Sequence, residues 1–140
     1  MLECLVVGDS IAVGTHQFTK HCAELARGGI NSAQWNKIYK NRPLTARTLI
    51  ISLGTNDHKW VNTYDELFGM RQRVDADRVY WVLPHGNMNA PQNLPIAEIQ
   101  RIVQQVADYY GDTVIPITRV QADGIHPSWA GYRDIAERAK

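Results

Sequence analysis

The sequence predicts an α/β fold, with a central parallel sheet flanked by helices in a single three-layer domain. Three observations carry this. Three short apolar runs, Leu2 to Val7, Thr48 to Leu53 and Arg78 to Leu83, are rich in Val, Ile and Leu, as strands buried on both faces are. Helical patterns alternate with these strands to the chain's end, without repeats or linkers. The 140 residues suit one domain with a real core, and the 44% hydrophobic and 21% charged fractions are those of an ordinary globule.

The first strand runs into Gly8-Asp9-Ser10. Ile11 to Val13 then reads as a turn, and Thr15 to Ala26 as a helix with a loose apolar face of Phe18, Cys22 and Leu25. Gly28-Gly29 breaks it, and Ser32 to Tyr39 is expected to be helical with Trp35 and Ile38 inward. Asn41 to Pro43 ends that segment, and the second strand closes at Gly54. Thr63 to Glu66 spells a capping box, with Thr63 as N-cap of a helix burying Leu67, Phe68 and Val74. After the third strand, residues 85–95 form a polar loop interrupted by proline, long enough to suggest a function. Ile96 to Tyr110 has the clearest helical stripe, Ile99, Ile102, Val103 and Val106, and Gly111 stops it. Thr113 to Ile117 is a last strand. Ser128 caps a final helix with Tyr132, Ile135, Ala136 and Ala139 on one side.

The bulk numbers exclude several classes. A net charge of +1 offers polyanions no global field, so nucleic acid is not an expected partner. The basic run Lys37, Lys40, Arg42 and Arg47 reads as a solvated face. No apolar run approaches the ~20 residues of a membrane span. No basic, apolar and cleavage regions follow Met1, so the expectation is a soluble protein of the cytoplasm, with a virus particle as the alternative setting. Cys4 and Cys22 show no spacing of a disulfide scaffold or zinc site, and free thiols in a reducing compartment are expected. His16, His21, His58 and His85 lack metal-ligand spacing, so no metal site is expected. Trp35, Trp60 and Trp81 read as core or rim packing, with Trp60 set apart by its place just after Asn56.

Right-handed crossovers bring the strand ends to one rim, which gathers Ser10, Gly54 to Asn56, and the segment before Asp123. A serine hydroxyl needs a general base to become a nucleophile. His126 can serve, because Asp123, three residues earlier, can hold one ring nitrogen while the other faces Ser10. The developing oxyanion needs donors, available from the Ser10 N–H, a backbone N–H of Gly28-Gly29, and the Asn56 amide. Asp9 and Asp57 read as loop-holding residues that accept from backbone N–H groups. His85 and Asn87 lie in the long loop, either solvated or touching substrate.

Gly8-Asp9-Ser10, Gly54-Thr55-Asn56-Asp57 and Asp123-Gly124-Ile125-His126, in this order, resemble the marker blocks of the SGNH hydrolases, the GDSL esterase/lipase family. Gly29-Ile30-Asn31-Ser32 resembles the family's second block, and His126-Pro127-Ser128 with Gly131-Tyr132 resembles the run into its last helix. The resemblance implies the flavodoxin-like SGNH fold, with Ser10 as nucleophile, His126 as base and Asp123 as its orienting carboxylate. It assigns the oxyanion hole to the Ser10 N–H, the Gly29 N–H and the Asn56 side chain. No cofactor is required.

The expected activity is hydrolysis of a carboxylic ester through a Ser10 acyl-enzyme. Polar rim loops and little room for a lid favour a short acyl group, such as acetyl, on a carbohydrate or other polar carrier. A lysophospholipase or thioesterase of the same family is the second enzyme reading. The rival from another class is a glycan-binding or structural module that kept the fold without turnover.

Overall fold

The computed structural model describes residues 1–140. In chain order the elements are β1 (Leu2–Gly8), α1 (Ser10–His16), β2 (Ala23–Ala26), α2 (Ser32–Ile38) and β3 (Leu44–Ser52), followed by α3 (Thr63–Gln72), β4 (Val74–Leu83), α4 (Ile96–Tyr110), β5 (Thr113–Pro116) and α5 (Trp129–Arg138). The five strands form one parallel sheet in the order β2-β1-β3-β4-β5. Successive connections leave β1 in opposite directions, so the crevice at the carboxyl ends of β1 and β3 is where such sheets hold their ligands.

Side-chain alternation along the strands builds the three layers. Leu5, Val7, Leu49, Ile51 and Trp81 face one way, against Trp35 of α2, Leu67 and Met70 of α3, and the Ile99, Val103 and Val106 stripe of α4. Cys4, Val6, Ile50, Val82 and Ile115 face the other way, against Ile11 and Ala12 of α1 and Tyr132 and Ile135 of α5. Both faces are covered, so the strands read as continuous apolar runs. The α4 stripe is buried as its spacing predicts, and the helix ends on left-handed Gly111.

Five local expectations are corrected. Ile11 to Val13 is not a turn but part of α1, which is capped by Asp9. The helix expected over Thr15 to Ala26 is instead the end of α1, a turn, and β2, whose Leu25 pairs with Val7. Ladder hydrogen bonds to β1 outweigh the weak helical pattern there. Ile38 points outward, 42% exposed, at the end of a short α2 whose inner face is filled by Trp35 and Ser32. Asn62, not Thr63, caps α3: its side chain accepts from the Asp65 N–H, while the Thr63 hydroxyl donates to buried Asp57 at 2.7 Å. Glu66 accepts instead from the Asn36 amide.

The last correction concerns the cysteines. Cys4 and Cys22 form a disulfide rather than remaining free. Cys22 lies in the turn before β2 instead of in a helix, which brings it beside Cys4 on the neighbouring strand. The argument for a reducing compartment falls with the free thiols. His21 sits beside the bridge, its Nε2 3.8 Å from Cys22 Sγ.

Candidate active site

The site grows from the end of β1. Gly8 has φ +140° and lies directly against the β3 backbone at Ser52. The next N–H, that of Asp9, donates to the Ser52 carbonyl at 3.0 Å. Asp9 leaves the sheet in extended conformation and caps α1, its Oδ1 accepting from the Ile11 N–H at 3.0 Å. Ser10 is therefore the first residue of a helix whose start is bonded to two strands. It sits half-buried at the carboxyl rim.

Asp9 itself is fully buried. Its Oδ1 also accepts from Ser52 Oγ at 3.3 Å, while Oδ2 has no partner. Desolvation, opposed by these hydrogen bonds, pushes the carboxyl up from 3.8 to about 7. The sign follows from linkage: an acid raised by folding favours the native state while protonated, and that advantage is lost as it ionises. Asp9→Asn, which cannot ionise, is expected to gain stability relative to wild type as pH rises from about 4 to about 7, by up to roughly 4 kcal/mol. Urea unfolding of both proteins across this range checks it. A stability difference that stays constant with pH rules the assignment out.

The second piece leaves β3 through Leu53-Gly54-Thr55 and turns at Asn56-Asp57, with the Asp57 N–H donating to the Gly54 carbonyl at 2.9 Å. Asp57 is buried and accepts from the Ser32 N–H at 2.8 Å, the Ser32 hydroxyl at 2.6 Å and the Thr63 hydroxyl at 2.7 Å. Burial nevertheless pushes its carboxyl up. One carboxylate thus ties the β3 exit to the starts of α2 and α3. The Asn56 amide donates to the Ile30 carbonyl at 3.0 Å, which fixes it against the Gly28-Gly29 loop. Its second amide hydrogen remains free for a ligand. Gly28 faces the nucleophile segment: a Cβ built on it would stand 3.9 Å from Ser10 Cβ. Gly29 follows with φ +78°.

The third piece is the turn between β5 and α5. Ser10 Oγ lies 2.9 Å from His126 Nε2, and His126 Nδ1 lies 2.7 Å from Asp123 Oδ2. Asp123 Oδ1 accepts from the N–H groups of Ile125 at 2.9 Å and His126 at 3.0 Å. These bonds, that of Ile125 foremost, hold its carboxyl down at about 2. An ionised carboxylate only accepts, so Nδ1 carries the ring proton and Nε2 is left to accept from the Ser10 hydroxyl.

The surroundings hold this turn in place. The Gln121 N–H donates to the His126 carbonyl at 2.8 Å, and Ser128 caps α5 by accepting from the Gly131 N–H at 3.2 Å. His85 Nδ1 donates to the Gly124 carbonyl at 2.7 Å, and a Cβ on neighbouring Gly86 would reach within 2.2 Å of that oxygen. His85 therefore meets the backbone of the turn, and Asn87 accepts from the Ile96 N–H at the start of α4. The sequence carried no sign of this backing role, because the partner is a main-chain carbonyl 39 residues away.

Five sequence-predicted residues thus fall on one rim: Ser10, Asp123 and His126 in direct contact, with Asn56 and Gly29 on loops packed beside them. No helix is long and apolar enough to cross a membrane.

No protein-family model matches the sequence, and no curated protein matches it. Solved structures do. A GDSL-like lipase from Bacteroides thetaiotaomicron superposes with a TM-score of 0.70 at 17% identity, over 97% of this chain and 84% of that one. A lipolytic G-D-S-L protein from Veillonella parvula gives 0.67 at 19% identity, over 99% and 96%. An acetylxylan esterase from Geobacillus stearothermophilus gives 0.64 at 14% identity, over 96% and 90%. With the sheet order and the crevice at β1 and β3, these likenesses make the fold that of the GDSL (SGNH) hydrolases.

Proposed function

We propose that the protein is a serine esterase that removes a short acyl group, acetyl in the first instance, from a carbohydrate or other polar carrier. The observation that carries this reading is the unbroken relay from Ser10 Oγ through His126 to Asp123 at the rim of β1. In this reading His126 takes the hydroxyl proton as Ser10 Oγ attacks the ester carbonyl, and Asp123 stabilises the imidazolium. The Ser10 N–H, the Gly29 N–H and the free Asn56 amide hydrogen receive the oxyanion. The carrier alcohol leaves with the proton from His126, and water then hydrolyses the Ser10 acyl-enzyme by the same steps in reverse roles.

Two features support a small acyl group. The residues gathered beside Ser10 are glycine or polar, Gly28, Asn56 and His126 among them, rather than the large apolar side chains that would line a channel for a long chain. The similar structures include acetylxylan esterases. Turnover of p-nitrophenyl esters of increasing length, alongside acetylated sugars, tests the proposal. The acetyl esters are expected to react fastest, and a preference for long acyl chains would overturn it.

A further inference from the structure

Between the β3–α3 loop and α4 lies an open cleft of about 540 Å³ that none of the residues assigned above lines. Its walls join two exposed aromatic rings, Trp60 (74% exposed) and Tyr64 (41%), to the polar side chains of Asn62, Glu98, Arg101 and Gln105. A large exposed ring is informative when it borders a concavity rather than standing alone.

Hydrogen bonds fix the main chain around Trp60. The backbone on either side is clamped, with the Lys59 N–H donating to the Gln92 carbonyl at 2.9 Å and the Val61 N–H to the His58 carbonyl at 3.0 Å. The Trp60 N–H donates to His58 Nδ1 at 3.2 Å, and the two rings meet edge to face. Opposite, Glu98, Arg101 and Gln105 follow the i, i+3, i+7 spacing of one α4 face, and none spends its side chain on a hydrogen bond or ion pair within the protein. The cleft therefore offers an exposed aromatic surface beside unspent donors and acceptors of both charges.

We propose that this cleft binds a neutral oligosaccharide. The apolar C–H face of a pyranose ring covers an indole, while its ring of hydroxyls donates and accepts at once, which matches Arg101 as donor, Glu98 as acceptor and Gln105 as both. Lys59 and Arg101 set against Glu98 give the lining both signs and a single excess positive charge, too little to select a polyanion. Trp60 stands four positions after Asn56, at most about 14 Å of chain away, so an oligosaccharide of a few units seated here is long enough to reach the Asn56 loop. As the carrier site for the esterase substrate it rests on the reading above, whereas binding itself does not.

The test uses the Ser10→Ala protein, which cannot consume an acetylated ligand, on an array of neutral xylo-, cello-, manno- and chito-oligosaccharides, followed by calorimetry on those retained. At least one class is expected to bind, with affinity at least tenfold weaker in the Ser10→Ala/Trp60→Ala double variant and largely kept with Trp60→Phe. An unchanged melting temperature in each variant excludes misfolding. Retention of no neutral glycan, binding indifferent to Trp60→Ala, or concentration-dependent dimerisation that Trp60→Ala abolishes would each overturn the proposal. If wild type hydrolyses no ester yet the Trp60-dependent binding remains, the esterase reading fails and the glycan site stands.

Discussion

Ser10→Ala is expected to lower p-nitrophenyl acetate hydrolysis by at least about a thousandfold while leaving the fold intact. Both halves of this expectation come from where the residue sits. Its hydroxyl makes one side-chain contact, with His126 Nε2, and no hydrogen bond that holds the helix. The cap of α1 is supplied by Asp9, and alanine is a favourable residue in a first helical turn. Circular dichroism and the melting temperature should therefore match wild type. Intact mass after a short exposure to the ester should show an acetyl adduct on wild type and none on the variant. A variant rate close to wild type would remove Ser10 as nucleophile and leave the rim as a binding surface.

Gly8→Ala is expected to have the largest effect on stability, a loss upwards of about 3 kcal/mol that leaves little folded protein. Two causes coincide. At φ +140° an L side chain is strained, and its Cβ would stand 1.8 Å from the Ser52 carbonyl oxygen and 2.7 Å from the carbonyl carbon. Both atoms belong to the backbone of β3, so neither can rotate away. Relief requires β1 and β3 to part at the crevice, which also breaks the Asp9–Ser52 hydrogen bond. Gly111→Ala provides the control: its φ is +72°, but nothing lies within 4 Å of the added carbon, and a cost of only about 1 kcal/mol is expected. Urea unfolding of the two variants separates strain from collision. Equal losses would show that the contact with Ser52 does not matter.

What the sequence disclosed depends on how local the physics is. The central strands and α4 were legible because burial on two faces, or on one stripe, writes itself as a continuous or periodic apolar pattern. Ser10, Asn56, Asp123 and His126 were legible because each sits in a short block whose neighbours are needed for its turn. β2 was not, since a four-residue edge strand with Glu24 exposed takes its conformation from the ladder with β1 rather than from its own residues. The exchange of cap from Thr63 to Asn62 depends on a buried carboxylate six residues away that claims the threonine hydroxyl. The backing of Gly124 by His85 and the pairing of Cys4 with Cys22 are contacts between distant segments. Neither leaves a local trace.

The Cys4–Cys22 bond reaches beyond stability. It stands one residue before the first rungs of the β1–β2 ladder, where Leu5 pairs with Ala23. A covalent clamp at that point keeps β2 from sliding along β1, and a slip of a single residue would turn Leu25 of β2 toward the opposite layer. The segment it encloses holds the whole of α1 and the nucleophile. The bridge therefore acts as a register lock between the edge strand β2 and β1, the strand that delivers Ser10 to the rim.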